Sequence, residues 1–340
     1  MSTINRPEIS VCIANYNGRD VLLRCVDSVI NQACSTSVEI LIHDDASTDD
    51  SLSIVEQHYP DIRIIRSEVN VGFCVSNNRL AQEAAGQYIL LLNNDAYLRA
   101  GALQSMLNEA SRGFRGILSV PQYDAGSRQL LDRGCGMDCS LMPIPVLAKD
   151  SRRVVTVMGA CLWIPKPLWV RIGGFPEWFG SIAEDVFLCL ATWNSGARVQ
   201  VLDKSGYDHV VGYSFGGGKA VQGKLRTTVR RRFLSERNRL CVLLVFCPAL
   251  ILPPAVGAQV LWMLVEAIGL SLIRRDMLIL RDVHIAALRS AWRLRETTIA
   301  ERRRIQREFG RFPLGRWISL VSLVPQKLRA IWHYGIPDVR

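Results

Sequence analysis

The sequence lacks the cysteine patterns that mark metal-binding or disulfide-rich proteins. Its ten cysteines are scattered, with no CxxC pair and no cysteine–histidine spacing that suits zinc. We therefore expect buried or incidental thiols in a reducing compartment. A secretory signal pattern is also missing, because the first apolar run, residues 9–14, is too short and has no basic lead. These two features predict that the N-terminal part of the chain faces the cytoplasm.

Charge is absent from one long stretch near the C-terminus. Residues 240–265 contain no charged side chain but include Pro248, Pro253 and Pro254, and arginines precede and follow the stretch. Its length would permit one membrane span. Basic residues on both sides favour two cytoplasmic ends, and the prolines favour a re-entrant or in-plane helical hairpin. A buried helical pair in a soluble domain remains the alternative.

The charges that are present are divided unevenly along the chain. Up to Gly218 there are 18 Lys and Arg against 23 Asp and Glu, a balance of −5; from Lys219 onward there are 23 against 8, a balance of +15. Ile285, Leu288, Trp292 and Ile299 lie at helical spacing in this basic part, and residues 317–332 form a second basic amphipathic stretch. Such stretches suit an anionic membrane surface. A nucleic acid is the alternative partner, but no known recognition module accompanies the arginines.

Strand and helix patterns alternate in the first hundred residues. Strands are predicted at residues 9–14, 38–42, 62–65 and 88–92. Helices are predicted around Leu22–Val29, around Ile54, and over residues 77–85, with Gly86 ending the last one. This alternation predicts a parallel sheet with helices on both faces.

Polar residues follow three of these strands. Asn15, Asp44 and the Asn93–Asp95 segment stand where the strands end, and ligands of such sheets bind at the carboxyl ends of strands. Clustered carboxylates repel one another unless a cation or hydrogen-bond donors compensate their charge. A nucleotide diphosphate with a divalent metal ion would supply that compensation.

Taken together, these motifs resemble the family 2 glycosyltransferases, and especially their bacterial rhamnosyltransferase-like branch. The resemblance covers roughly residues 8–215. Its elements, in order, are residues 10–17 (SVCIANYN), 44–49 (DDASTD), 70–73 (NVGF) with Asn77 and Asn78, 91–95 (LLNND), 159–160 (GA), 173–175 (GGF), 184–190 (EDVFLCL) and His209. The resemblance implies a GT-A fold: a Rossmann-like mixed α/β sheet flanked by helices. We expect a catalytic domain at residues 1–218 and a helical, membrane-associated region at 219–340.

The resemblance also implies roles for single residues in donor binding. Asp44 matches the carboxylate that binds the pyrimidine of the donor, and Asp95 with His209 matches a site for Mg²⁺ or Mn²⁺. Asn93 stands where relatives have the first acid of a DxD motif, so metal binding is expected to depend on Asp95. The expected nucleotide-sugar-binding residues are Ala14, Asn15, Tyr16, Asp44, Asn70, Gly72, Asn77, Asn93, Asn94 and Gly159.

The carboxylates at the start of a predicted helix, residues 186–193, complete the expected site. Asp185 matches the catalytic base of the family, and Glu184 is expected to position the acceptor or the base. Inversion at the anomeric carbon needs one base that takes the proton of the attacking hydroxyl. An acidic pair at a helix start is also explained by the helix dipole alone.

The expected function is therefore inverting transfer of a sugar from a UDP- or dTDP-sugar to a glycan acceptor. A lipid-linked acceptor in bacterial cell-surface polysaccharide synthesis fits the basic, apolar C-terminal region, with the enzyme peripheral or monotopic on the cytoplasmic face of the plasma membrane. The alternatives are a sugar nucleotidyltransferase and a catalytically inactive membrane scaffold. A processive synthase is disfavoured, because several clear spans and a QxxRW motif are missing.

Overall fold

The computed structural model describes residues 7–149, 154–213, 219–221, 224–323 and 338–339. The chain divides into two compact units. The first comprises Met1–Cys135, Pro145–Ser181 and Gly196–Val210; the second comprises Gly136–Ile144, Ile182–Ser195 and Val211–Arg340. The functional division at residue 218 stays a prediction.

A mixed sheet forms the centre of the first unit. Its strand order is β12-β6-β11-β4-β1-β2-β3. The strands are β1 (Ile9–Asn15), β2 (Val38–Asp44), β3 (Arg63–Arg66), β4 (Tyr88–Asn93), β6 (Ile117–Ser119), β11 (Cys161–Pro165) and β12 (Val199–Val201). The first four strands in sequence pair with one another in parallel, as predicted, whereas β11 runs antiparallel to β4 and β6. The mixed α/β sheet of the expected fold class is confirmed.

Helices flank this sheet. They are α1 (Leu22–Ile30), α2 (Ser51–His58), α3 (Phe73–Glu83), α4 (Ala102–Ser111) and α5 (Lys166–Ile172). The predicted apolar face of α1 is confirmed, because Leu22, Cys25, Val26 and Val29 are its buried residues. A short 3-10 helix, Glu177–Phe179, follows α5.

The boundaries predicted for α3 are wrong in two respects. The helix begins at Phe73, one turn before residue 77, directly after Gly72, whose φ of 89° is left-handed. It ends at Glu83, so Gly86 does not terminate it. A Cβ at Gly86 would lie 2.7 Å from the backbone nitrogen of Ser10. Gly86 is therefore required for close approach to β1, not for ending a helix.

A second sheet in the first unit has the strand order β5-β13-β7-β8. Its strands are β5 (Ala96–Leu98), β13 (Tyr207–His209), β7 (Gln122–Asp124) and β8 (Leu130–Asp132). Arg99 lies over the ring of Tyr123 at 3.5 Å and donates two hydrogen bonds to Asp208 Oδ1. This contact stabilises β13 beside β5, and β5 begins immediately after Asp95.

The second unit is mainly helical. Its helices are α6 (Glu184–Asn194), α7 (Val229–Phe246), α8 (Leu252–Arg274), a π-helical segment (Ile279–Ile285), α9 (Ala286–Arg293), α10 (Arg295–Phe309) and α11 (Leu314–Leu320). Short strands accompany them: β9 (Cys135–Asp138, whose first residue belongs to the first unit), β10 (Pro143–Pro145, whose last residue belongs to the first unit), β14 (Lys219–Val221), β15 (Lys224–Thr227), β16 (Val321–Ser322) and β17 (Asp338–Val339). Helix α7 packs against α6, α8, α9 and α10.

The uncharged stretch at residues 240–265 forms parts of two helices. It includes the end of α7, a break that contains Pro248, and the first half of α8. Pro253 and Pro254 lie in the first turn of α8, where proline is tolerated because those backbone N–H groups have no helical acceptor. Among the described residues, the segment Leu252–Ile273 is one helix that is long and apolar enough to cross a membrane, with a mean hydropathy of 1.8 and one third of its best window buried. Core helices of soluble proteins share these properties, so the membrane prediction is not decided by them.

Two other predictions for this region have different outcomes. The helix expected to carry Ile285, Leu288, Trp292 and Ile299 is interrupted at Leu294, between α9 and α10. Of the amphipathic stretch at residues 317–332, only residues 317–323 are described, and they form the end of α11 and β16; residues 324–332 lie outside the described part.

Candidate active site

Asn15 joins the loops that follow three neighbouring strands. Its buried side-chain amide donates to Asp44 Oδ1 at 3.2 Å and to Ser51 Oγ at 3.0 Å, and its Oδ1 accepts from Asn94 Nδ2 at 2.9 Å. A Cβ at Gly18 would lie only 2.2 Å from Asn15 Oδ1, so glycine is required there. In this structure, Asn15 and Asn94 therefore organise the edge of the sheet through contacts with each other.

The predicted donor-binding residues Asp44, Ala14 and Asn93 lie at the same edge. In the parallel register, Asn15 is opposite Asp44 and Ala14 is opposite Asn93. Asp44 also accepts the backbone N–H of Ser47 at 3.1 Å and is 5% exposed. Adjacent strands thus bring these residues together at their carboxyl ends, as the sequence predicted.

Asp45, which the sequence analysis did not single out, holds the loop at residues 70–72. Its carboxylate accepts the backbone N–H of Val71 at 2.6 Å and of Gly72 at 2.9 Å, and its carbonyl oxygen accepts from Asn70 Nδ2 at 3.3 Å. Asn70 and Gly72 therefore belong to a loop that is attached to the end of β2. The sequence signal that could have indicated this role is the position of Asp45, a second carboxylate directly after Asp44 at the end of β2.

The remaining predicted donor residues differ in exposure. Tyr16 is 50% exposed beside the end of β1, which leaves its ring accessible to a ligand. Asn77 is buried and donates to Phe73 O of its own helix at 2.9 Å. Gly159 is buried just before β11, where the carbonyl of the next residue, Ala160, accepts the backbone N–H of Asn93. The ligand roles of these residues stay predictions.

Asp95 and His209 form the predicted metal pair. His209 pairs with Ala96 in the antiparallel β5–β13 register, and this brings His209 Nε2 to 3.2 Å from Asp95 Oδ1. Both side chains are largely buried. Among the described residues, none donates a hydrogen bond to Asp95 Oδ1, although His209 Nε2 lies within 3.2 Å of it. A buried carboxylate oxygen beside an imidazole nitrogen is a chemically suitable pair of ligands for Mg²⁺ or Mn²⁺.

The other ring nitrogen of His209 is oriented by Gln122. The Gln122 amide lies 2.9 Å from His209 Nδ1 and also contacts the hydroxyl of Tyr207 at 2.7 Å. A metal-bound Nε2 requires a proton on Nδ1, and Gln122 Oε1 then accepts a hydrogen bond from this Nδ1–H while Gln122 Nε2 donates to the Tyr207 hydroxyl oxygen. A 180° rotation of the Gln122 amide therefore keeps its hydrogen bonds to His209 and Tyr207 when His209 binds a metal. The residues present thus fit the ion.

The candidate base lies in the second unit, at the start of α6. Glu184 is buried and Asp185 is partly buried, with Asp185 Oδ1 accepting the backbone N–H of Val186 at 2.7 Å. The two residues before them, Ile182 and Ala183, have φ values of 70° and 68°. Left-handed backbone at non-glycine residues is costly and concentrates at functional sites.

Burial, and after it the neighbouring Asp185 carboxylate, raise the pKa of Glu184 to about 8. Burial thus favours the neutral form of Glu184, which leaves Asp185 as the better candidate for the base. Arg231 of α7 interacts electrostatically with this pair: burial lowers the pKa of Arg231, while Glu184 and Asp185 raise it. The sequence analysis missed Arg231, which appeared only as one of several arginines before the uncharged stretch.

The raised pKa of Glu184 predicts a specific pH dependence of stability. Between the ordinary glutamate pKa of about 4.3 and about 8, the folded state binds more protons at this side chain than the unfolded state does, so the stability it contributes is lost as pH rises. Glu184→Gln keeps the neutral shape and cannot titrate. We expect the difference in melting temperature, variant minus wild type, to increase from pH 5 to pH 8 in thermal melts.

Glu296→Gln is the matched control, because that carboxylate is 84% exposed in the same unit. Its difference from wild type should stay constant over the same pH range. Parallel pH profiles for Glu184→Gln and wild type would contradict the assignment of a neutral Glu184.

Comparisons with known proteins agree with this geometry. Residues 10–134 match the model of the family described as Glycosyl transferase family 2, and residues 88–253 match Glycosyl transferase family group 2. The chain is 38% identical over 195 residues to a chondroitin synthase of Escherichia coli, covering 56% of this chain and 27% of that protein. It is 30% identical over 113 residues to the GalNAc(5)-diNAcBac-PP-undecaprenol beta-1,3-glucosyltransferase of Campylobacter jejuni, covering 32% and 36% of the two chains. The chain thus spans about a third or less of the length of these relatives.

Solved structures share the fold. A Staphylococcus aureus TarS fragment, residues 1–349, in complex with UDP-GlcNAc matches with a TM-score of 0.58 at 16% identity and covers 89% of each chain. GalNAc-T7 with UDP, GalNAc and Mn²⁺ matches with a TM-score of 0.57 at 17% identity, covering 72% of this chain and 48% of that one. At these identities the similarity shows the GT-A fold alone.

Proposed function

We propose that this chain, which carries a family 2 glycosyltransferase domain within residues 10–253, is an inverting enzyme that uses a UDP- or dTDP-sugar as donor. The acceptor in this proposal is a glycan, lipid-linked and destined for a bacterial cell-surface polysaccharide. The observation that carries the proposal is the Asp95–His209 pair, buried and 3.2 Å apart, next to the strand ends that bear Asp44 and Asn93. The similarity to a chondroitin synthase and to a glucosyltransferase named for an undecaprenol-linked glycan supports it.

The donor's diphosphate is the group that the metal pair would serve. Asp95, with His209, would hold Mg²⁺ or Mn²⁺, and the ion would neutralise the charge that develops on the leaving diphosphate. Asp44 would accept a hydrogen bond from the pyrimidine, with Ala14 and Tyr16 beside the base. Asn15, Asn94 and Asp45 would keep this edge in shape through the hydrogen bonds described above.

Asp185 is the residue that we assign to proton removal. The acceptor hydroxyl loses its proton as it attacks the anomeric carbon, and the leaving diphosphate departs from the opposite face, so a single carboxylate is sufficient. Glu184, kept neutral by burial, can donate a hydrogen bond to an acceptor oxygen or to Asp185. This division of roles between adjacent carboxylates follows from their different environments.

A panel of UDP- and dTDP-sugars, offered to the purified protein with Mn²⁺ and with EDTA, tests the proposed function. Release of nucleoside diphosphate that requires the metal is the expected result. The panel should include dTDP-rhamnose, because the ordered motifs over residues 8–215 resemble those of the rhamnosyltransferase-like branch. If the protein neither binds nor turns over any donor, the glycosyltransferase proposal is refuted and the alternative of a catalytically inactive membrane scaffold is favoured.

The membrane is the proposed location, with the protein monotopic or peripheral on the cytoplasmic face. Helix α8 buries Met263, Ala267 and Leu270 on one side, while a second apolar stripe is exposed. Its residues and exposed fractions are Leu261 (63%), Val265 (56%), Ile268 (51%) and Leu272 (73%). A helix that is apolar on all faces is typical of burial in protein or lipid. The basic balance of this region and exposed arginines such as Arg289 and Arg293 favour anionic lipid.

Replacing two residues of this stripe should weaken membrane binding. Each of Leu261 and Val265 would contribute roughly 25 cal/mol per Å² of buried apolar surface, so Leu261→Asp/Val265→Asp should lower partitioning by about tenfold or more. Cosedimentation with phosphatidylglycerol vesicles and with neutral phosphatidylcholine vesicles measures it. The control is Val69→Asp/Val170→Asp, at residues 67% and 64% exposed in the first unit. Equal pelleting of both double variants would exclude this stripe from the membrane contact.

A further inference from the structure

The turn that precedes the candidate base has an unusual backbone. Ile182 and Ala183 are consecutive non-glycine residues with φ of 70° and 68°, and Ile182 is β-branched, which makes a left-handed conformation especially unfavourable. Ala183 is the residue that caps α6, so its conformation determines the direction in which Glu184 and Asp185 leave the turn. Such a turn persists only if surrounding contacts hold it.

A side chain of α7 hydrogen-bonds the backbone of this turn. The side-chain amide of Asn238 donates to the carbonyl oxygen of Ile182 at 2.7 Å, and Asn238 is completely buried. Its Oδ1 accepts from Arg237 Nε at 2.8 Å, which orients the amide so that its nitrogen faces Ile182. Arg231, seven residues earlier and therefore on the same face of α7, interacts electrostatically with Glu184 and Asp185. One face of α7 thus carries both the side chain that hydrogen-bonds the turn and the arginine that interacts with the two carboxylates.

We propose that Asn238 is a positioning residue for catalysis, which holds the left-handed Ile182–Ala183 turn and thereby aims the Asp185 carboxylate. The inference rests on the proposed function, since it takes Asp185 as the base. It adds that α7, in the basic C-terminal region, is part of the catalytic machinery and not only a membrane-facing helix.

The other end of α6 offers a hydrogen bond of the same kind without this role. Asn194, also buried, donates its side-chain amide to the carbonyl oxygen of Gly310 at 3.2 Å. Asn194 and Asn238 therefore both tie α6 or its preceding turn to a neighbouring segment of the second unit through one amide donor. They differ in that only Asn238 contacts the strained turn before the base.

The test compares Asn238→Asp with Asn194→Asp, both of which keep the size of the side chain and replace the donor by an oxygen. Misplacing a reacting group by about 1 Å can cost 100-fold in rate, so Asn238→Asp should lower kcat by about 10- to 100-fold. Its KM for the donor should change by less than about threefold, because transition-state positioning is lost while donor binding is kept. Asn194→Asp should keep kcat near wild type even if its melting temperature falls equally.

A rescue distinguishes positioning from general destabilisation. Glycine adopts positive φ without steric cost, so Ala183→Gly in the Asn238→Asp background should recover several-fold in kcat. The same replacement in the Asn194→Asp background should not raise kcat. If Asn238→Asp and Asn194→Asp lose activity only in proportion to their melting temperatures, and Ala183→Gly rescues neither, the positioning role is refuted.

The two proposals fail in different ways. If Asp185→Asn keeps wild-type turnover, the base assignment fails, whatever Asn238 does. If Asp185→Asn abolishes turnover while Asn238→Asp behaves like its control, only the positioning role of Asn238 fails.

Discussion

Replacing Asp185 by Asn is expected to lower turnover by about 10²–10⁴-fold, while affinity for the nucleotide donor stays near that of wild type. Asparagine keeps the size of the side chain and can still accept the backbone N–H of Val186, so the start of α6 should keep its conformation. Only the ability to take the acceptor's proton is removed. Steady-state transfer assays measure the rate, and isothermal titration with UDP or dTDP measures the affinity.

Asp282→Asn is the control for this variant, since Asp282 is a carboxylate of the same unit that pairs with the exposed Arg281. Its turnover should equal that of wild type. An Asp185→Asn protein with near-normal turnover would place the base elsewhere, and the neutral Glu184 beside it would then be the first residue to reconsider.

Replacing Asp95 by Ala is expected to abolish metal-dependent binding of the nucleoside diphosphate. Asp95 supplies the buried carboxylate oxygen beside His209. Without this oxygen, His209 would be the one remaining ligand of the proposed pair. Titration of UDP and dTDP with and without Mn²⁺ should show a metal-dependent gain in affinity for wild type and none for Asp95→Ala. Turnover should fall with it, because the leaving diphosphate loses its charge compensation.

Two further variants keep this test decisive. Asp95→Asn preserves the packing beside His209, so a loss of metal dependence in a protein with a wild-type melting temperature cannot come from misfolding. Asp61→Ala removes an exposed carboxylate from the same unit and should leave metal dependence unchanged. Metal-dependent binding that survives in both Asp95 variants would refute the metal assignment.

The sequence predicted the regular part of the fold because its long strands are apolar and its helices are periodic. The strands that bear Asn15, Asp44 and Asn93, and the buried face of α1, were all found as expected. The antiparallel direction of β11 was not predicted, since an apolar run carries no information about strand direction. Gly86 was misread because a helix end and a close backbone approach both select glycine, and only the structure shows which applies.

The candidate site was predicted where polar residues follow strands, and missed where tertiary contacts define it. The Asp95–His209 pair was expected from the family resemblance and not from a strand pattern, because β5 and β13 have only three residues each and are too short to be periodic. Arg231 and Asn238 belong to a helix whose arginines the sequence analysis related only to a membrane surface. Their role depends on which face of α7 meets the turn before α6, and the sequence of α7 alone does not specify its neighbour.

The stereochemistry of transfer tests the central claim most directly. Purified protein, a donor found in the nucleotide-sugar panel, Mn²⁺ and an acceptor are followed by proton NMR of the anomeric signal. The account predicts a first-formed product whose anomeric configuration is opposite to that of the donor, formed by wild type and not by Asp185→Asn. A product that retains the donor's configuration would contradict it, because a single base and direct attack at the anomeric carbon require inversion.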